Sequence, residues 1–248
     1  MKVLGIDIGG SAFKGAPVDI TTGRLLAERH RVEIKSPCPL REGLAAARAI
    51  TEHFNWKGPV GIGFPGIIED GRIGEVGNLG DVWVGRNGAA LFRRATGCRV
   101  RLLNDADAAG LAEMQFGRGR GKRGTVILLT FGTGIGSALF HDGKLFPNAE
   151  LGHLPWRGRP FERYAAAAVR KRARLEWKDW ARRVNVYLSV VERLFSPDLL
   201  ILGGGVSKKA KKFLPFIRAQ ARVVPAQLHN DAGIVGAALA WSSGAGGA

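Results

Sequence analysis

The chain has 248 residues, 46% of them hydrophobic, which suits one large or two small domains with a sizeable core. A formal charge of +16 and a pI of about 10.7 favour a polyanionic partner: nucleic acid, an anionic membrane or a phosphate polymer. No apolar run of about eighteen residues marks a membrane span, the MKVLGIDIGG start lacks a signal peptide's apolar region and cleavage site, and Cys38 and Cys98, without CxxC spacing, offer neither a disulfide framework nor a zinc site of their own, all of which fits a cytoplasmic protein.

In chain order, Lys2–Ile8 predicts a strand with Asp7 near its end, Gly9-Gly10-Ser11 a tight turn and Phe13–Val18 a returning strand. Asp19–Gly23 predicts a hairpin turn and Arg24–Val32 a third strand, a meander unlike the βαβ start of a dinucleotide fold. Pro37-Cys38-Pro39 marks a loop, Leu40–Phe54 has helical spacing, and Val60–Phe64 is a strand ending at Pro65-Gly66. Ala89–Thr96 predicts a short helix and Val100–Leu103 a strand. Asn104 and Asp105 follow at the turn, and Ala106–Phe116 is a helix stopped by Gly117. A strand running straight into a helix leaves its last polar residues at the carboxyl edge of a sheet, where open α/β folds bind ligands. A carboxylate there can take a proton from a substrate hydroxyl. The alternative is that Asp105 or Asp107 only caps the helix.

The pattern then restarts. Thr125–Thr130 is an apolar strand, Gly132-Thr133-Gly134-Ile135-Gly136 a glycine turn, Ser137–Phe140 its partner strand and His141–Lys144 a second turn. Helices are predicted over Arg159–Leu175 and Trp177–Phe195, then a strand over Leu199–Leu202 ending in Gly203-Gly204-Gly205. A closing helix over Ala232–Trp241 and a frayed Ser242–Ala248 tail complete the chain. Both halves open strand, glycine turn, strand, turn, strand, which implies two similar α/β lobes with a cleft between them. The boundaries are drawn at 1–106, with the closing segment 232–248, and at 107–231.

Each glycine turn alone reads as a plain hairpin sooner than as a loop whose backbone N–H groups approach phosphate oxygens. In order and spacing, however, GIDIGGSAFKGAPVD, GIGFPG, NDADAAG, LLTFGTGIG, ELGH and LILGGGVS resemble the ROK-family sugar kinases over nearly the whole chain, most closely their polyphosphate-dependent glucokinases. The resemblance implies an α/β, two-lobed actin/hexokinase-like ATPase (ribonuclease H-like) fold with an interlobe cleft. It implies a first phosphate loop of Asp7, Gly9, Gly10, Ser11 and Lys14, and a second of Thr130, Gly132, Thr133, Gly134 and Gly136. Gly203, Gly204 and Gly205 would line the nucleotide or polymer side, with Lys208 and Lys209 following. Asp7 beside phosphate implies Mg²⁺, held through water. Pro65, Gly66, Asn78, Asn104, Glu150 and His153 would bind the sugar, and Asp105 would be the general base for its 6-hydroxyl. Glu162 either joins the sugar site or simply favours a helix N-terminus. Many family members hold structural zinc in a cysteine-rich loop after the Glu-x-Gly-His segment. Here LPWRGRPFERYAAAA follows His153, so no zinc is expected.

Basic residues cluster at Arg118–Arg123, at Arg170-Lys171-Arg172 with Arg174, and at Lys208, Lys209, Lys211 and Lys212. The fold implied by the resemblance sets the first and third of these beside the phosphate loops, where a polyphosphate chain would use them. The reaction implied is phosphoryl transfer from polyphosphate, with ATP as a second donor, to the 6-hydroxyl of glucose or a close hexose. The alternatives are an ATP-dependent hexokinase of the same family, a sugar-sensing regulator or a polyanion-binding protein. Regulators of the family carry a helix-turn-helix ahead of the first strand, which is not expected here. Aromatics at 8%, not interleaved with the basic runs, argue against a specific nucleic-acid partner. Relatives of this kind are often dimers, which leaves a homodimer open.

Overall fold

The computed structural model describes residues 1–77 and 79–242. Asn78 and all but Ser242 of the predicted tail therefore lie outside the described residues. The chain forms two compact units, Met1–Ala112 with the segment from Asp231 onward, and Glu113–Asn230. Among the described residues no helix is long and apolar enough to cross a membrane.

The first unit is built from β1 (Lys2–Gly9), β2 (Ala12–Asp19), β3 (Arg24–Leu25), β4 (His30–Glu33), α1 (Leu40–His53), β5 (Val60–Phe64), β6 (Gly66–Glu69), β7 (Arg72–Val76), α2 (Gly88–Thr96) and β8 (Val100–Asn104), which runs directly into α3 (Asp105–Phe116). Its main sheet has the order β3-β2-β1-β5-β8, with β4 also paired to β2. β1 and β2 are antiparallel, whereas β5 and β8 lie parallel to β1 and to each other. Side chains alternate along β1. Leu4, Ile6 and Ile8 enter a core with Ala46, Ala47 and Ile50 of α1 and the rings of Phe64, Trp83 and Phe92. Trp83 is fully buried and donates from Nε1 to the Cys38 carbonyl at 2.9 Å. On the other face the Ala232–Leu239 helix lies against bare backbone: a Cβ at Gly5 would fall 2.0 Å from the Ile234 carbonyl oxygen, and one at Gly61 1.8 Å from that of Ala237. Cys38 and Cys98 are both buried free thiols, and burial pushes the Cys38 thiol up to about 11.

The second unit carries β9 (Thr125–Phe131), β10 (Ile135–His141), β11 (Lys144–Phe146), the short hairpin β12 (Pro155–Trp156) and β13 (Arg159–Pro160), α4 (Glu162–Ala165), α5 (Ala167–Arg172), α6 (Trp177–Phe195), β14 (Leu199–Gly203), α7 (Ala210–Phe213) and β15 (Arg222–Pro225). Its sheet order, β11-β10-β9-β14-β15, repeats that of the first unit, with an antiparallel hairpin followed by two parallel strands. The apolar face of α6 buries Trp180, Val184, Tyr187, Leu188 and Val191 against Phe131, Phe161 and Phe213.

The structure departs from the sequence reading at several elements. The predicted third strand splits into β3 and β4, both pairing with β2. The predicted Arg159–Leu175 helix is instead β13 followed by two short helices, because Ala166 is extended (φ −60°, ψ 156°) and the Ala165 carbonyl accepts from the buried Trp180 indole. The β6–β7 hairpin and β15 carry too little alternation to read as strands. The closing helix ends at Leu239, two residues early.

Fully buried Glu113 locks the end of α3 within the second unit. It accepts backbone N–H groups from Arg118 at 3.0 Å and from Gln227 and Leu228, each at 2.7 Å. Glu113→Ala leaves three part-buried N–H groups without their acceptor and should destabilise the protein by about 2 kcal/mol, with Glu113→Gln intermediate. A urea midpoint unchanged in Glu113→Ala would contradict this.

Candidate active site

Asp7 and Lys14 are register partners across the β1–β2 pair, with Nζ 4.0 Å from Oδ2. The first turn of the Ala232–Leu239 helix abuts the same carboxyl, since a Cβ at Gly233 would come 2.7 Å from Asp7 Cγ. Burial raises the Asp7 pKa, and Lys14 and Arg29 oppose that rise. Between β1 and β2, neither Gly9 nor Gly10 has a positive φ. The turn therefore does not need glycine for its backbone geometry, and with Ser11 it presents a chain that an anion can approach closely.

Val60–Phe64 and Val100–Asn104 pair in parallel, which brings Phe64 level with Asn104. The strand exits thus carry Pro65-Gly66 and Asn104-Asp105 to one edge of the first sheet. Asn104, only 3% exposed, fills the capping role. Its Oδ1 accepts from the N–H groups of Ala106 (2.8 Å) and Asp107 (3.0 Å), and its Nδ2 donates to the Gly66 carbonyl (3.1 Å). Asn104 thus caps α3, and Asp105 and Asp107 stand in its first turn. Asp105 is half-buried at the strand–helix joint, whereas Asp107 is buried.

In the second unit, Gly132, Thr133 and Gly134 join β9 to β10. Thr130 lies in register with both Gly136 and Gly203, so the second and third glycine turns leave the same edge of that sheet. The glycines divide by what a side chain would meet. Gly204 is required by the fold: its φ is +76°, and a Cβ would lie 2.6 Å from the Phe131 carbonyl oxygen. Gly132 and Gly205 are exposed, have no positive φ, and would place a Cβ in open space. Backbone access is what glycine adds there. Lys208 and Lys209 follow on a 3₁₀ turn and are exposed, as are Lys211 and Lys212 on α7.

Glu150 precedes the Leu151–His153 3₁₀ turn. Ser137 holds that segment by donating from Oγ to the Ala149 carbonyl and accepting from the Leu151 N–H at 2.8 Å. His153 is exposed and Glu150 half-buried. Glu162 opens α4, and its Oε2 accepts the Ile135 N–H at 3.2 Å, at the end of the second glycine turn. Buried Tyr187 lies in the field of both carboxylates. Burial, then Glu150, then Glu162, raise its pKa.

Two contacts to this turn were not legible in the chain. One is the Glu162–Ile135 bond. The other is the Ala168 N–H, which donates to the Gly132 carbonyl at 3.0 Å and ties α5 to the turn. The Arg170–Arg174 cluster thus begins beside a glycine loop, although Arg170 itself is occupied, 3.7 Å above the Trp177 ring.

Among the described residues no group of three or more His, Cys, Asp or Glu side chains could hold a metal by itself. A half-buried Asp7 opposite Lys14, beside the Gly9-Gly10-Ser11 turn, suits Mg²⁺, which keeps several waters and takes its other ligands from phosphates.

A polyphosphate glucokinase of Mycobacterium tuberculosis is 44% identical over 240 residues, covering 95% of this chain and 89% of that protein. The crystal structure of an inorganic polyphosphate/ATP-glucomannokinase from an Arthrobacter species superimposes with a TM-score of 0.93 at 44% identity, covering 96% of this chain and 97% of that one. A ROK-family glucokinase from Streptomyces griseus, in complex with glucose and AMPPNP, gives 0.79 at 26% identity, with coverage of 96% and 98%. The ROK family model matches residues 3–166. On this agreement of sequence and architecture, the chain belongs to the ROK family.

Proposed function

We propose that this chain is a polyphosphate-dependent glucokinase, transferring a phosphoryl group from inorganic polyphosphate to the 6-hydroxyl of glucose or a close hexose. The observation that carries the reading is the 44% identity to polyphosphate glucokinases over 95% of the chain, joined to an Asp105 carboxylate at a strand–helix joint where a neighbouring side chain supplies the cap. ATP is a second donor, a reading supported by the likeness to the Arthrobacter polyphosphate/ATP-glucomannokinase.

In this proposal the Asp105 carboxylate accepts the proton of the sugar 6-hydroxyl as its oxygen attacks phosphorus. Pro65, Gly66, Asn104, Glu150, His153 and Glu162 orient the sugar, and Asn78 is assigned the same role from the sequence alone. The backbone of the turns at Gly9, Gly10 and Ser11 and at Gly132, Thr133, Gly134 and Gly136 lets phosphate oxygens approach closely, with Lys14 adding a point charge. Thr130, Gly203, Gly204, Gly205, Lys208 and Lys209 line the donor's path. Mg²⁺, held through water by Asp7, would neutralise phosphate charge. The protein acts in the cytoplasm without zinc, a membrane or a specific nucleic-acid partner, and a homodimer is its proposed assembly.

Asp105→Asn should keep the fold and sugar binding while lowering kcat by about 10²–10⁴-fold. Near wild-type turnover in a folded, glucose-binding Asp105→Asn protein would sink the assignment.

EDTA should abolish phosphotransfer and added Mg²⁺ restore it. Full turnover in EDTA would remove Asp7 from its metal role.

Replacing Lys208, Lys209, Lys211 and Lys212 by Ala should raise the KM for polyphosphate and flatten its salt dependence, leaving the KM for glucose nearly unchanged. Wild-type polymer kinetics across a salt series would return those lysines to general surface charge.

A further inference from the structure

Ile135, at the end of the second glycine turn, is gripped on both sides by the two segments assigned to the sugar. Its N–H is bound by the Glu162 carboxylate at 3.2 Å. Its carbonyl oxygen lies so close to Gly152 that a Cβ there would approach to 2.1 Å. Gly152 sits between Glu150 and His153, and that stretch is clamped to β10 through Ser137. The loop closes on itself through the Gly132 N–H to the Gly134 carbonyl, 3.0 Å. Gly134 passes directly under the same carboxylate, with a Cβ there only 2.2 Å from Oε2.

Glu162 is itself firmly seated. The preceding Phe161 is fully buried, stacked on Trp156 at 4.9 Å and 5.0 Å from the Tyr187 ring, and its N–H donates to the Leu154 carbonyl at 2.9 Å. A carboxylate has about four lone-pair sites on two oxygens, so one carboxylate can hold a backbone N–H and a sugar hydroxyl together.

We infer that Glu162 is a positioning residue that couples hexose occupancy to the donor loop. A sugar hydroxyl on its carboxylate fixes the oxygen that holds the Ile135 N–H, and so holds Gly132–Gly134 in the shape that receives phosphate. The inference rests on the proposed sugar-kinase reading. Because coupling is reciprocal, donor binding tightens hexose binding by the same factor. Its consequence is that phosphate is gripped best when an acceptor is present, which disfavours transfer to water.

The test is calorimetric titration of tripolyphosphate into the intact protein, in Mg²⁺, with and without saturating 6-deoxyglucose, which lacks the accepting hydroxyl, so that binding is read without turnover. Wild type should bind the anion at least about fivefold more tightly with the sugar present. Glu162→Ala should bind both ligands with that ratio reduced to about one, while Glu162→Gln, which keeps an acceptor oxygen for Ile135, should retain most of it. A wild-type ratio in Glu162→Ala, or a variant that weakens only the sugar, would overturn the inference. So would independent binding of the two ligands in wild type. Failure of wild type to bind glucose or tripolyphosphate at all would instead overturn the proposed function, and this inference with it.

Discussion

Each end of the Asn104 side-chain amide bonds to backbone, and much of the first unit's geometry turns on that. One end closes the first turn of α3 and the other holds the Gly66 carbonyl at the exit of β5. A cap of this kind is worth about 1 kcal/mol. Its larger effect is positional: it fixes the β8–α3 joint against the β5–β6 corner. Asn104 takes the N–H groups of Ala106 and Asp107, and Asp105 is the first residue of the helix.

Close backbone approach recurs wherever an element must stay near a strand exit. The Ala232–Leu239 helix reaches β1 and β5 because Gly5 and Gly61 carry no side chain, and it reaches α3 because a Cβ at Gly236 would lie 1.6 Å from the Ala108 carbonyl oxygen. Interiors are packed to the density of organic crystals, so a methyl group at any of these positions would push the elements apart. Glycine is therefore used in two ways. At Gly5, Gly61, Gly204 and Gly236 it makes the fold, whereas at Gly132 and Gly205 the fold leaves space that a side chain could fill.

The charge distribution follows a similar division. Glu113, Glu192 and Asp198 turn their carboxylates onto backbone N–H groups of the second unit. They act there as internal struts. The exposed lysines and arginines at 118–123 and 208–212 outnumber nearby acids and give that unit a positive exterior. An excess of one sign raises the local concentration of a polyanion and makes its binding salt-dependent, while adding little to stability.

What the sequence by itself determined was local and repetitive: the buried strands, the glycine turns between them, the duplicated order of elements, and the placement of Asp105 where a strand meets a helix. Those features depend on neighbours two to four residues apart, which is the range over which side-chain periodicity operates. Tertiary structure decided the rest. The alanine-rich stretch after Phe161 has helical propensity throughout, yet it breaks at Ala166, where the Trp180 indole takes the Ala165 carbonyl and the Ala168 N–H reaches Gly132. Asn104 rather than either aspartate became the cap because the Gly66 carbonyl, 38 residues away, held the other end of its amide. Glu162 found Ile135 across 27 residues for the same kind of reason. Each of these partners is distant in the chain and is brought close only by sheet register and core packing, so no local pattern could announce it.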